Sequence, residues 1–146
     1  MTTIFKKALA LERVEVLSLL KKANLPINDI DGNVELFCLE TDDGIIGTAG
    51  LETKGEIGLL RSISISDLQK GKGCGVAIIQ HLENYAKSQH LKELYLLTIT
   101  AKEFFERKCN YEVVERTDVP VEIQSSQQFS SVCPSSAVVM RKILVV

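Results

Sequence analysis

The chain has 146 residues, of which 45% are apolar and 25% charged, with a formal net charge of -2. That is material for one domain, residues 1–146, with a proper core, and the absence of a basic stripe with interleaved aromatics argues against a nucleic-acid partner. Met1 to Leu20 carries Lys6, Lys7, Glu12, Arg13 and Glu15 among its apolar residues, so it reads as neither signal peptide nor membrane span, and a cytoplasmic protein is expected.

In chain order, Thr2 to Ala8 reads as a short strand, and Leu11, Val14, Leu17 and Leu20 mark one face of a helix running to about Ala23. Pro26 interrupts it, with a short helical turn over Pro26 to Asp31. Val34 to Glu40, Ile45 to Glu52 and Ile57 to Ile65 read as three strands. Asp42-Asp43-Gly44 and Lys54-Gly55 supply the positive-φ residues of two tight turns, so the three form an antiparallel meander. Ile78, Ile79, Leu82, Tyr85 and Ala86 give the next helix its apolar stripe, ending near His90. The strand Glu93 to Thr100 is almost continuously apolar at its centre. That fits a strand buried on both faces and parallel to the one before the crossover helix. Ala101 to Cys109 reads as a short helix and Tyr111 to Arg116 as a strand. A serine- and glutamine-rich connection follows from Pro120 to Pro134, with a helical turn at Val121 to Ser125, and Ser136 to Leu144 is the last strand. Cys38, Cys74, Cys109 and Cys133 form no C-x-x-C pair, and only His81 and His90 are present to join them. Reduced thiols and no metal site are expected.

The stretch from Leu59 to Ile79 organises the rest: strand, glycine loop, helix. Lys70-Gly-Lys-Gly-Cys-Gly75 is an anion cradle, because glycine lets backbone approach a ligand and the free N–H groups opening the helix carry partial positive charge. It is not G-x-x-x-x-G-K-[ST], and G-x-G-x-x-G fails because Val76 stands at the third glycine position. The pattern that fits is [Q/R]-x-x-G-x-[G/A], with Gly73 and Gly75 in register and Lys70 in first place. That loop resembles the pyrophosphate loop of the GNAT N-acetyltransferases, and the order of elements resembles the GNAT fold over essentially the whole chain. The resemblance implies an α/β (α+β) domain, the acyl-CoA N-acyltransferase fold, with a mixed central β-sheet and helices on both faces.

What the resemblance implies about function is equally specific. Acetyl-CoA is the acyl-donor cosubstrate, with no metal. Its pantetheine arm enters where the strands flanking the loop helix splay apart, held by Ile63, Ser64 and Ile65, and its pyrophosphate rests on Gln69, Lys70, Gly71, Lys72, Gly73, Cys74 and Gly75. Thr98, Thr100 and Phe105 are further cofactor contacts. A narrower resemblance, to the arsenic-resistance N-acetyltransferase branch, rests on Gly50-Leu-Glu52, Leu60-Arg-Ser62, Leu96-Leu-Thr-Ile-Thr-Ala101, Phe104-Phe105 and the tail Phe129-x-x-x-Cys133-Pro-Ser-Ser-Ala137 with Met140-Arg141. It implies a small-molecule amine substrate that is amino-acid-like and bears an acidic group. Charge and composition leave neither nucleic acid nor membrane as an expected partner, and the chain is compatible with a homodimer.

The chemistry needs a base, a donor for developing oxyanion charge, and a way for the thiolate to leave. Glu52 is the first candidate base and Glu56 the second; each is otherwise a solvated carboxylate beside a turn. The Ile63 to Ile65 strand offers a backbone N–H for the oxyanion. The family's tyrosine acid is replaced by phenylalanine at Phe105, which leaves Cys133, Tyr111 or unassisted thiolate departure; Cys133 is otherwise packing. Arg61, in an apolar strand, either holds a substrate anion with Ser62, Ser135 and Ser136 or pairs with Glu52 across the hairpin. Lys72 is a phosphate contact or a solvated loop lysine, and His81 is surface or packing. The alternative from another class is a catalytically silent acyl-CoA-binding sensor on the same fold, which Phe105 favours.

Overall fold

A computed structural model describes residues 3–25, 27, 30, 34–66, 70–71, 73–124 and 137–144. Its elements are β1 (Ile4–Lys7), α1 (Leu11–Lys22), β2 (Val34–Thr41), β3 (Gly44–Lys54), β4 (Ile57–Ile65), α2 (Cys74–Ser88), β5 (Glu93–Thr98), α3 (Lys102–Cys109), β6 (Glu112–Val114), a 3-10 turn (Arg116–Asp118), α4 (Val121–Gln124) and β7 (Val138–Ile143). The strands form one seven-stranded sheet in the order β1-β2-β3-β4-β5-β7-β6. β1 to β4 run antiparallel, β5 returns parallel to β4 after α2, and β7 inserts antiparallel between β5 and β6.

Local chemistry accounts for the meander. The Asp42-Asp43 turn is closed by Thr41, whose Oγ1 accepts a bond from the Asp43 N–H at 3.2 Å, and Gly44 takes φ 110°. The second turn leaves only two residues between the paired Lys54 and Ile57, with Gly55 at φ 64°. The buried residues then divide by face. Ile78, Ile79, Leu82 and Ala86 of α2 join Phe105 and Cys109 of α3 against Ala49, Leu51, Leu60, Leu94, Leu96 and Met140. Each large aliphatic so buried contributes about 1.5–3 kcal/mol. On the opposite face Val16 and Leu20 of α1 cover Val34, Leu36 and Cys38, while Ile123 of α4 packs with Leu59, Tyr95 and Val139. Leu94 and Leu96 therefore face one layer and Tyr95 the other, as expected of a strand buried on both sides.

Several boundaries differ from the sequence reading. In α1 the buried stripe is Val16 and Leu20 with half-buried Leu17, while Leu11 and Val14 are 85% and 65% exposed. Four residues at a constant spacing of three drift about 60° per step around a helix, so they never formed one face. β1 begins at Ile4, β5 stops at Thr98, β6 is only Glu112–Val114, and β7 begins at Val138. The turn expected over Pro26 to Asp31 falls largely outside the described residues, as does most of the Pro120 to Pro134 connection.

The sheet forks at its centre. β4 and β5 share register only at Ile57↔Glu93, Gly58↔Leu94 and Leu59↔Tyr95. Beyond that point β4 follows β3 to Ile65, while β5 follows β7. A bulge does this: the β3–β4 register shifts between Thr48 and Gly50, and Ser62 sits at φ 58°, a conformation uncommon outside glycine. Thr48 staples the bulge, its Oγ1 donating to the Ser62 carbonyl at 2.8 Å with the Ser64 hydroxyl 2.7 Å away.

Candidate active site

The fork opens a cleft of about 970 Å³. Its floor is Ile46 to Thr48 of β3 and Ile63 to Ser66 at the end of β4. One wall is the glycine loop with the first turn of α2; the others are Ala101, Phe104 and Lys108 around α3, and Leu19, Lys22 and Leu25 at the end of α1. Beyond Leu59 the side of β4 that turns toward β5 has no strand partner among the described residues, and Ile63 to Ser66 of that edge line the cleft.

Gly71 and Gly73 adopt φ 81° and 83°, and a Cβ built on either meets nothing within 4 Å. Both therefore leave space that any other residue would fill. Gly73 is the cap residue of α2; its carbonyl accepts from Ala77 at 3.1 Å, and no acidic side chain occupies the first turn. The helix thus presents its positive end to the cleft. Gly75 does different work: a Cβ there would lie 3.0 Å from Phe104 Cζ, so glycine lets α3 close against α2.

Of the residues that the sequence reading names as cofactor contacts, Ile63, Ser64, Ile65, Lys70, Gly71, Gly73 and Gly75 line this cleft. Cys74 is half-buried against the core beneath it. Gln69, Lys72, Cys133, Ser135 and Ser136 lie outside the described residues. Three further residues so named lie off the cleft lining. Thr98 accepts a bond from the Ala101 N–H at 2.9 Å at the start of α3, Thr100 is exposed, and neither reaches the cleft. Phe105 is buried in the core edge-on to Tyr111, with ring centroids 5.6 Å apart, and Phe104 lines the cleft instead. The spacing carried that signal: Phe105 and Cys109 make the apolar stripe of α3, and Phe104 and Lys108 the other face.

Glu52 and Arg61 are brought together. Both are buried, and Arg61 Nη1 lies 3.4 Å from Glu52 Oε1 while its Nε donates to Ser62 Oγ at 3.3 Å. Lys54 Nζ stands 3.5 Å from the other Glu52 oxygen. Gly50, opposite Arg61 in the ladder, makes room for it, since a Cβ there would come within 3.2 Å of Arg61 Cγ. Glu52, Arg61 and Ser62 sit beside the cleft floor in sequence without lining the cleft. Glu56 pairs with Lys92 at 3.1 Å on an exposed turn, and His81 stacks on Phe5 at 4.9 Å.

Behind the cleft, a buried network pins α3. Tyr111 donates to Glu83 at 2.9 Å, and Lys142 Nζ donates to both Glu83 oxygens at 3.1 Å and to the Cys109 carbonyl at 3.0 Å. Burial, with Glu83 beside it, pushes the Tyr111 phenol well above its usual range. Burial likewise pushes the Cys109 thiol up to about 11. The structure therefore places Tyr111 in the core, held to a carboxylate.

A family model described as the acetyltransferase (GNAT) family matches residues 7–111. The chain belongs to the GNAT acetyltransferase family. No curated protein matches the sequence. Among solved structures, N-acetylglutamate synthase from Neisseria gonorrhoeae, complexed with coenzyme A and N-acetyl-glutamate, superposes with a TM-score of 0.83 at 13% identity. The match covers 100% of this chain and 36% of that one, so the chain spans about a third of that enzyme's length. A GNAT-family acetyltransferase from Staphylococcus aureus Mu50 gives a TM-score of 0.75 at 15% identity, covering 99% of this chain and 100% of that one. Rv2747 from Mycobacterium tuberculosis, in complex with CoA and NLQ, gives 0.73 at 20% identity over 97% and 99% of the two chains. At these identities the likeness is one of fold, and the seven-stranded forked sheet with its helices is the GNAT acyl-CoA N-acyltransferase fold.

Proposed function

We propose that residues 1–146 form a single GNAT domain that transfers an acetyl group from acetyl-CoA to the primary amine of a small substrate, acidic or amino-acid-like. The observation that carries this reading is that one cleft is lined by two features: the end of β4 from Ile63 to Ile65, which has no strand partner on its β5 side among the described residues, and the glycine loop, whose Gly71 and Gly73 leave open space at the start of α2. An extended amide-bearing arm matches the first and a diphosphate the second. Acetyl-CoA, when bound, supplies an activated acyl thioester.

The chain's own residues would then divide the work. The Ile63 to Ile65 backbone orients the arm and offers an N–H where oxyanion charge develops, and Lys70 and the N–H groups following Gly73 hold the diphosphate. Phe104, Ile46 and Ile65 wall the reacting end with apolar surface that excludes water. Glu52, which stands off the cleft lining, is the assigned base and acts through a water relay; Arg61 fixes the orientation of its carboxylate and Lys54 pairs with its second oxygen. Arg61 is therefore the partner of Glu52 in this reading, and the substrate anion is left to Ser62 and the tail serines Ser135 and Ser136, with Cys133 as proton donor.

The finer assignment, to the arsenic-resistance branch, rests on the tail Phe129-x-x-x-Cys133-Pro-Ser-Ser-Ala137, which lies beyond the family match, and puts amino-acid-like arsenicals and phosphinates among the amines to screen. A cytoplasmic location belongs to the same reading; among the described residues no helix is long and apolar enough to cross a membrane. The test is CoA release, followed as free thiol, across a panel of small amines. Amine-dependent thiol release supports transfer. Saturable acetyl-CoA binding with no release on any amine favours the silent sensor.

A further inference from the structure

We infer that Lys108 is the contact for the third phosphate of the donor, the 3′-phosphate on its ribose, and so sets the preference for a 3′-phosphorylated nucleotide over its dephosphorylated form. This rests on the acyl-CoA reading above and goes beyond the glycine loop. Three observations carry it. Lys108 lines the cleft on the same face of α3 as Phe104, one turn further along, and Phe104 packs on Gly75 at the start of α2. A ligand whose diphosphate rests at Gly71 and Gly73 meets this face of α3 as it continues past the first turn of α2.

Second, Lys108 has no carboxylate within ion-pair distance among the described residues, whereas Lys102 on the same helix pairs with Glu106 at 3.8 Å. An exposed lysine that lines the cleft, with no carboxylate paired to it among the described residues, suits a dianionic phosphate ester. Third, the helix that carries it is held in place. Lys142 donates to the Cys109 carbonyl at 3.0 Å and to Glu83 of α2, so the end of α3 is tied to the helix that opens the phosphate loop. Lys108 is thereby presented at a set position relative to Gly73, which lowers the ordering cost of the contact.

The experiment is calorimetric titration of the full chain with CoA and with 3′-dephospho-CoA, for the native protein and the variants Lys108→Met, Lys108→Arg and Arg107→Met. Arg107 is the neighbouring exposed cation on α3, outside the cleft wall. The native protein should prefer CoA by about tenfold at low salt, and Lys108→Met should erase that preference by weakening CoA alone. Lys108→Arg should keep most of it, and Arg107→Met should leave the ratio unchanged. Equal weakening of both ligands by Lys108→Met would assign the lysine to the diphosphate and overturn the inference, as would no effect on either. Failure of the native protein to bind either ligand would overturn the acyl-CoA reading itself, and the inference with it.

Discussion

Substituting valine at Gly73 separates strain from function. At φ 83° a residue with a Cβ is strained, by about 1–3 kcal/mol, while the new side chain meets no protein atom within 4 Å. The fold should therefore survive, with Tm lowered by about 2–4 °C for each kcal/mol in a chain of this size. The ligand has no such latitude, because the valine occupies the space through which a diphosphate reaches the first N–H groups of α2. A matched control is available at Gly55, which has φ 64° and equally open surroundings but lies in the β3–β4 turn. In a thermal-shift titration, acetyl-CoA at about a hundred times its Kd should stabilise the native protein by about 2.7 kcal/mol. Gly55→Val should start from a lower Tm and keep that increment, and Gly73→Val should start lower and lose it. ATP is the specificity arm and should give little shift. Retention of the acetyl-CoA increment by Gly73→Val would refute the assignment of this loop.

The Glu52–Arg61 pair yields two further expectations. Arg61→Ala leaves a buried carboxylate with Lys54 as its remaining cation among the described residues, so chemical denaturation should show a loss of about 3–5 kcal/mol, much of it recovered in the Arg61→Ala/Glu52→Gln double variant. If Glu52 takes the amine's proton, Glu52→Gln should lower kcat by about 10²–10⁴ with acetyl-CoA affinity unchanged; native kcat with a shifted Tm would reassign the residue to the ion pair alone. Cys109 gives a pH expectation. Its thiol is protonated in the folded state up to about 11, above its ordinary value of 9.0, so the unfolded chain loses that proton first. The stabilisation is complete below pH 9 and declines as pH rises toward 11; thermal melts across that window should fall less steeply for Cys109→Ala, and parallel slopes would count against it.

The sequence was most legible where structure is decided locally. Gly44 and Gly55 announce two turns through the positive φ they take, and the unbroken apolar run at Leu94 to Leu97 announces a strand covered on both sides. It was least legible where one residue of phase decides a face. Phe104 and Phe105 are chemically identical, and a step of one residue turns a helix by about 100°, so the pair alone does not say which ring enters the core. The partners four residues on, Lys108 and Cys109, do say it, and they put Phe104 on the cleft. In α1 the error had the same origin, because apolar Leu11 and Val14 satisfied a count of hydrophobic residues while lying off the buried stripe.

Arg61 shows how far register alone reaches. A two-residue turn that pairs Lys54 with Ile57 carries the ladder inward to Glu52↔Leu59 and Gly50↔Arg61. Glu52 and Arg61 are then diagonal neighbours on one face, so their ion pair follows from the turn chemistry, and Gly50 opposite the arginine is the space it needs. The next step does not follow. The bulge between Thr48 and Gly50 places Ser62 at positive φ, and serine gives no sequence sign of that, where glycine or asparagine would have. Yet this bulge lies where β4 parts from β5, and the Ile63 to Ile65 segment beyond it lines the cleft. Its staple, Thr48 to Ser62 and Ser64, is visible only once the strands are in register. The feature on which the proposed chemistry depends most is thus set by a pairing irregularity between two strands whose individual sequences look ordinary.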